Sequence, residues 1–241
     1  MEASPSPRLL NDEFDPITYS IAFLNASLGA VANELQNWRT QPFGIDAVTC
    51  SEMDRQLPNM LHQLEPIVHG ATGRELLVAT ANPEWTAYFT GRFSGADQGV
   101  VSNLARLLKS RAVVASSILP GSPEDVRRPN GGVMFLLMAD HQTDWLNYER
   151  SVGIGQDGKR WRFEQSGTPL PFETPDAYDR RVVRERFTHE MLVSYCSAMG
   201  LRPFDSGFYK GPSVLINSRE SHEPLMEMSL ADARRHLHLE P

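Results

Sequence analysis

The sequence predicts an α+β protein, built on a mainly antiparallel sheet with an N-terminal helical hairpin and C-terminal helices. Three observations carry this prediction. Apolar residues recur at helical spacing near the N-terminus, and from Arg74 onward the apolar runs become short and are separated by turn residues. Within 151–173, apolar and polar residues alternate, which indicates strands with one buried face.

The N-terminal third of the chain carries the helical pattern. Residues 1–16 are rich in serine, proline and acidic side chains, which predicts a loose arm. Apolar residues then recur at steps of three and four from Ile17 to Trp38, which predicts a long helix, and a second helix is predicted to begin at Ser51. We therefore expect a helical hairpin over 17–70, followed by an α+β main domain over 71–241.

The main domain is predicted from shorter patterns. Strands are expected at 74–81, 84–91, 111–119 and 132–140, and one more short strand within 206–218. An amphipathic helix over 97–110 is expected to pack on the sheet. Thr174, Thr188 and Ser229 are residue types that cap helices, and each is predicted to begin a C-terminal helix.

The segment Ser151–Glu164 contains two phosphate-binding patterns, G-x-G-x-x-G from Gly153 to Gly158 and G-x-x-x-x-G-K ending at Lys159. Both need a strand before the glycines and a helix after them. The residues that follow alternate instead between arginine and aromatic side chains, as a half-buried strand does, and Arg160 replaces the serine or threonine of a P-loop. A nucleotide site is therefore not expected.

The same segment fits a β-hairpin. A turn at Asp157-Gly158 would place Ile154 opposite Trp161 and keep the apolar side chains on one face. A further turn at Ser166-Gly167 would extend the hairpin to a three-stranded antiparallel meander over 151–173.

Composition limits the class of function. The 241 residues are 41% hydrophobic and 22% charged, which is ordinary for a globular protein. With 23 basic and 30 acidic side chains the formal charge is −7, which makes nucleic acid an unfavourable partner.

Arginine greatly outnumbers lysine, a bias common in GC-rich bacterial genomes. The start of the chain lacks a basic and then apolar segment, and no run of about 20 apolar residues occurs. We therefore expect a cytoplasmic bacterial protein without membrane association.

The candidate site residues fall into two sets. Asp140, His141 and Asp144 follow a predicted buried strand, and a histidine between carboxylates could act in acid–base chemistry or bind a metal. Their spacing matches no established metal motif, and Cys50 and Cys196 have no ligand or redox spacing, so no metal or other cofactor is expected. The second set is a candidate binding surface made of Arg160, Arg162, Arg180 and Arg184. Acidic residues interleave the last two, so a solvated helix with ion pairs at i, i+4 spacing is the favoured interpretation of that pair.

Two classes of function follow from these residues. In the first, the acidic chain is a protein-binding module, for example an immunity or antitoxin-like protein that neutralises a basic toxin, because acidic charge speeds association with a basic partner. The apolar face of the 17–38 helix also allows a homodimer. In the second, the chain is an enzyme with a dispersed site around Asp140, His141 and Asp144. The H-x-H pair of His236 and His238 has no role assigned by the sequence.

Overall fold

The fold is a large antiparallel sheet with helices packed on both faces. The computed structural model describes residues 8–70, 72–121, 125, 130–218 and 223–239. In this part of the chain the α-helices are α1 (Leu28–Phe43), α2 (Leu57–Leu61), α3 (Gln98–Leu108), α4 (His189–Ala198) and α5 (Leu230–His236). The strands are β1 (Ser20–Leu24), β2 (Val48–Met53), β3 (Ile67–His69), β4 (Glu75–Thr80), β5 (Thr86–Thr90), β6 (Ala112–Ile118), β7 (Gly132–Met138), β8 (Tyr148–Asp157), β9 (Arg160–Ser166), β10 (Tyr209–Ser218) and β11 (Met226–Met228).

Nine of these described strands form one sheet in the order β2-β10-β4-β5-β1-β6-β7-β8-β9, and each neighbouring pair is antiparallel. β3 and β11 pair separately. α1 and α3 cover one face of the sheet, and α2, α4 and α5 contribute to the core on the other face. The coarse prediction of an α+β protein with a mainly antiparallel sheet is confirmed. Of the helices in the described segments, none is long and apolar enough to cross a membrane.

The helical hairpin predicted over 17–70 does not form. β1 occupies the centre of the sheet, where Ile21 and Phe23 enter one core and Ala22 and Leu24 enter the other. A strand buried on both faces has a continuous apolar run, which can also satisfy helical spacing. The helix begins only at Leu28, and the predicted N-cap of the second helix lies within β2. The surface predicted for a homodimer is therefore an interior strand followed by a separate helix.

The arm and the domain boundary also change. Residues 1–7 lie outside the described part of the chain, but Arg8, Leu9, Phe14 and Asp15 are buried. The predicted loose arm is therefore packed from residue 8 onward. Because β1 and β2 lie in the same sheet as strands from 71–241, the segment 17–70 and the predicted main domain share one core.

The hairpin of β8 and β9 forms, but with a shifted register. Its two loop residues are Gly158 and Lys159, and Ile154 faces Phe163 instead of Trp161. Gly158 has a φ of +58° at the first loop position, where a type II′ turn requires glycine. Because the shift amounts to two residues in the pairing, the same side chains stay on the same face of the sheet.

The third strand of the predicted meander is absent, since the described residues 167–174 form no strand. The chain turns at Gly167, which has a φ of +79°, and the Arg150 guanidinium donates to the carbonyl oxygens of Ser166 and Gly167 at 2.9 and 3.1 Å. These contacts direct the segment across the sheet, so that Glu173 returns to Arg150. The helix predicted from Thr174 is instead a pair of short 3-10 helices, Pro175–Asp179 and Val183–Glu185.

Glu173 and Arg150 form an ion pair in which both side chains are fully buried. Arg150 Nε and Nη2 donate to the two carboxylate oxygens at 2.8 and 2.6 Å, and the Tyr178 hydroxyl donates to Glu173 Oε2 at 2.6 Å. Burial alone would raise the pKa of Glu173, but the hydrogen bonds from Arg150, Tyr178 and the Leu170 N–H outweigh it and lower the pKa. This pair fastens the segment after β9 to the body of the sheet.

A second buried cluster joins the two ends of the described chain. Asp15 is 5% exposed, accepts a hydrogen bond from the Thr18 hydroxyl at 2.7 Å, and lies 3.9 Å from Arg8 Nη2. Arg234 of α5 donates to the carbonyl oxygens of Asp12 and Asp15. Burial raises the pKa of Asp15 to about 6, against the smaller opposing effects of Thr18 and the arginines. The cluster therefore contains a carboxyl group that titrates near neutral pH.

Candidate functional site

The best candidate site is the loop between β7 and β8, residues 139–147, which we name the Trp145 loop. The Ala139 N–H donates to the Asn147 carbonyl at 2.7 Å and closes the loop at its base. Within it, the Thr143 N–H donates to the Leu146 carbonyl at 2.9 Å, and the Thr143 hydroxyl donates to the carbonyls of Trp145 and Tyr148. These internal hydrogen bonds restrict the conformations that the loop can adopt.

Asn147 fastens the Trp145 loop to helix α3. The residue is 2% exposed, and its side-chain amide donates to the carbonyls of Ser102 and Ala139 at 3.1 and 3.0 Å. Its Oδ1 atom accepts from the Ser102 hydroxyl. The loop position is therefore fixed by a buried amide whose hydrogen-bonding groups all have partners.

The loop exposes two large apolar side chains next to each other. Trp145 is 70% exposed and Leu146 is 56% exposed, although both residue types are usually buried. Leu146 has a φ of +54°, a left-handed conformation that costs a non-glycine residue about 1–3 kcal/mol. The Trp145 ring lies against the Tyr148 ring with a centroid distance of 5.0 Å, which limits its motion. The loop thus presents an apolar surface in a fixed position at a cost in folding free energy.

A cavity of about 260 Å³ lies beside this surface, between the loop and α3. Leu146 and Asn147 form part of its wall on the loop side, and Ser102, Asn103 and Arg106 form part of its wall on α3. An exposed aromatic side chain next to a small pocket is an arrangement common at the centre of protein interfaces. The geometry therefore suits a partner that packs on Trp145 and inserts a side chain into the cavity.

We expect that Asn147→Ala will loosen the loop without unfolding the sheet. The substitution leaves the Ala139 carbonyl and the Ser102 hydroxyl without this partner, and each buried unsatisfied group costs about 1–3 kcal/mol. Hydrogen exchange followed by mass spectrometry should show faster exchange in a peptide covering 139–148. Asn103→Ala is the control, because the Asn103 side chain accepts a hydrogen bond from Arg106 of the same helix and, in the described part of the chain, makes none to the loop. Unchanged exchange in the Asn147 variant would show that the amide does not fix the loop.

The sequence-predicted acid–base residues belong to the same loop. His141 Nδ1 lies 2.6 Å from Asp140 Oδ1, and their side chains are 71% and 54% exposed. The hydrogen bond with His141 lowers the pKa of Asp140, the direction that keeps this carboxylate ionised. Asp144 is exposed on the loop and has no contact with this pair among the described interactions. The acidic residues thus lie on the same loop as the apolar surface, and an enzymatic role for them stays a prediction.

The four arginines predicted as a binding surface lie on two sides of the sheet. Arg160 and Arg162 project from one face of β9, and Arg162 pairs with Asp157 at 2.7 Å. The Arg184 guanidinium lies 5.9 Å from the centre of the Trp161 ring, on the opposite face. Arg180 donates to the Glu185 carbonyl at 3.1 Å, within its own turn. The structure therefore brings Arg160 and Arg162 together but separates them from Arg184.

The sequence analysis did not identify Trp145, Leu146 and Asn147 as candidate site residues. A signal was present. Two large apolar residues follow the polar run Asp140–Asp144 and have no apolar partners at strand or helix spacing on that side. Such an isolated pair between two strands is typical of a loop that exposes apolar side chains.

Comparison of the chain with protein-family models, curated proteins and solved structures finds no match. A search of the described residues also finds no group of three or more histidine, cysteine, aspartate or glutamate side chains placed to bind a metal ion.

Proposed function

We propose that this chain is a protein-binding module that recognises a basic protein through the Trp145 loop. An immunity or antitoxin-like protein that neutralises a basic toxin would work in this way. The observation that carries the proposal is the exposure of Trp145 and Leu146 on a loop that buried hydrogen bonds hold in place. A bacterial, cytoplasmic setting is part of this proposal.

Two physical effects favour binding at this loop. Tryptophan is among the residues that contribute most to binding when a partner removes it from water, and a loop already held in place loses little conformational entropy on binding. Asp140 and Asp144 lie on the same loop as the apolar surface, and the whole chain has a formal charge of −7. Negative charge around an apolar centre attracts and orients a partner whose contact surface is basic.

The exposure of Asp140 and His141 supports binding more than catalysis. A carboxyl group that acts as a general acid is usually desolvated, because burial is one of the effects that raise its pKa toward neutral pH, whereas the pKa of Asp140 is lowered. Both side chains are more than half exposed. In a binding role the same exposure is useful, since these groups are free to contact a partner.

The test uses the proteins encoded by the genes beside this one, each co-expressed and purified with the chain. For a neighbour that binds, we expect Trp145→Ala to weaken the affinity by about 30-fold or more, the effect of losing a dominant aromatic contact of about 2 kcal/mol. Isothermal titration calorimetry measures this change. Leu225→Ala is the matched control, because Leu225 is an apolar side chain 81% exposed elsewhere on the surface.

Two further results separate the alternatives. Binding should weaken as salt concentration rises, and replacing both Asp140 and Asp144 with asparagine should slow association, because steering by charge is screened by salt. If Trp145→Ala binds as tightly as the unmodified protein, the loop is not the contact site. If His141→Ala abolishes the biological activity while Trp145→Ala retains it, the dispersed acid–base enzyme is the better description.

A further inference from the structure

Strand β9 forms one edge of the large sheet, with β8 as its neighbour in the described part of the chain. In a hairpin with a two-residue loop, the residues that flank the loop, here Asp157 and Arg160, form a hydrogen-bonded pair. The alternation then directs the backbone groups of 162, 164 and 166 toward β8. Those of 161, 163 and 165 point away from the sheet.

An independent contact supports this alternation. The Gln156 N–H donates to the Gly131 carbonyl at 2.8 Å, on the side of β7, and so turns away from Trp161, the residue that it faces across the hairpin. Trp161 is therefore in a non-hydrogen-bonded pair with β8. The backbone N–H and C=O groups of 161, 163 and 165 therefore have no partner in β8, and no turn or loop hydrogen bond reaches them from the described residues. Such an edge can accept another strand.

The charges on β9 match a second copy of the same strand. If two copies align antiparallel with Phe163 facing Phe163, then Arg162 of each copy faces Glu164 of the other. Trp161 faces Gln165 in that register, so the outward backbone groups of both strands also meet. A register centred on Trp161 would instead place Arg162 opposite Arg160, and like charges in directly opposed positions are destabilising.

The surface beside β9 leaves room for the side chains of Arg162 and Glu164. Gly155 and Gly153 of β8 face Arg162 and Glu164, and together they line an open groove of about 300 Å³. A side chain at Gly155 would meet no atom within 4 Å, so packing within one copy does not require glycine there. Glycine inside a strand weakens it and often marks the close approach of another group.

We propose that two copies of this chain associate through β9, antiparallel and centred on Phe163, so that their sheets join into one. The Arg162 to Glu164 contacts between copies specify the register, and the outward backbone groups supply three directly opposed pairs that can exchange hydrogen bonds. This proposal does not depend on the proposed function.

The test measures the oligomeric state of the full chain by sedimentation velocity over a wide range of concentrations. We expect a dimer for the unmodified protein. R162E and E164R should each raise the dissociation constant about tenfold or more, because each brings like charges into both contacts. R160E is the matched control, since Arg160 faces the uncharged Ser166 in this register, and it should leave the dimer unchanged.

Mixing provides the decisive result. Equal amounts of R162E and E164R should form a mixed dimer, because glutamate at 162 then faces arginine at 164, and the double variant R162E/E164R should dimerise alone. Circular dichroism checks that each variant is folded. A monomer at every concentration of the unmodified protein would overturn the proposal. So would dimers that persist in both single variants, or single variants that fail to associate when mixed.

Discussion

Glu173→Ala is expected to lower the free energy of unfolding by about 3–5 kcal/mol, because it leaves the buried Arg150 guanidinium without its counter-charge. Arg150 cannot neutralise itself by losing a proton, since an arginine guanidinium stays protonated in proteins. The Tyr178 hydroxyl and the Leu170 N–H also lose the carboxylate as an acceptor. Urea unfolding followed by circular dichroism measures the change in stability.

An exposed ion pair of similar length is the control. Asp157 and Arg162 lie 2.7 Å apart, but both side chains are more than 60% exposed. Asp157→Ala should therefore cost less than about 1 kcal/mol. The double variant Arg150→Met/Glu173→Leu should recover part of the stability that Glu173→Ala loses, because it removes the uncompensated charge. Equal losses for Glu173→Ala and Asp157→Ala would contradict the role assigned to burial.

The sign of the pH dependence at Glu173 follows from its lowered pKa. The unfolded chain has a pKa near 4.5 at this residue, and the folded chain has a lower one. The stability from the ionised carboxylate is therefore complete above about pH 4.5 and is lost as the pH falls through the folded value. Acid unfolding should begin in this range.

Asp15→Asn is expected to stabilise the protein at pH 8. Burial raises the pKa of Asp15 from 3.8 to about 6, so the folded state holds a proton between these values that the unfolded state has released. Stability from this group therefore falls as the pH rises from about 4 to 7. The full cost of ionising it is about 3 kcal/mol, at 1.4 kcal/mol for each pKa unit. Asparagine carries no charge and still accepts from the Thr18 hydroxyl.

Thermal unfolding at several pH values measures this effect. The unmodified protein should lose several degrees in Tm between pH 5 and pH 8, and Asp15→Asn should remove most of that loss. Thr18→Val should act in the opposite direction and steepen the loss, because it removes a hydrogen bond that favours the ionised carboxylate. An Asp15→Asn variant less stable than the unmodified protein at pH 8 would refute this account.

The later part of the sheet could be predicted from sequence because its strands are short apolar runs between turn residues. β4, β5, β6 and β7 lie within the predicted ranges, and Asp97 caps α3 through hydrogen bonds to the N–H groups of Gly99 and Val100. The residues within and next to each of these elements are enough to predict it. The apolar pattern of β1 does not distinguish a strand from a helix, since an apolar run buried on both faces also satisfies the spacing of a helix.

Long-range contacts explain most of what the sequence did not predict. No local pattern pairs Arg150 with Glu173, which lies 23 residues away, yet that pair draws 167–174 away from the predicted third strand. The sequence also did not determine which two residues form the loop of the β8–β9 hairpin, because both Asp157-Gly158 and Gly158-Lys159 are acceptable two-residue loops. In the candidate site, sequence placed the carboxylates on the loop, but the exposure of Trp145 depends on Asn147 reaching Ser102 in α3.

The position of β10 has a consequence for synthesis of the chain on the ribosome. β10 lies between β2 and β4, two strands made more than 120 residues earlier. While the ribosome is still extending the chain, β2 has no neighbour in the sheet, and β4 offers an open edge to any other strand nearby. A nascent chain arrested before Tyr209 should therefore bind chaperones and be digested by protease at β2, and both should stop once β10 has emerged.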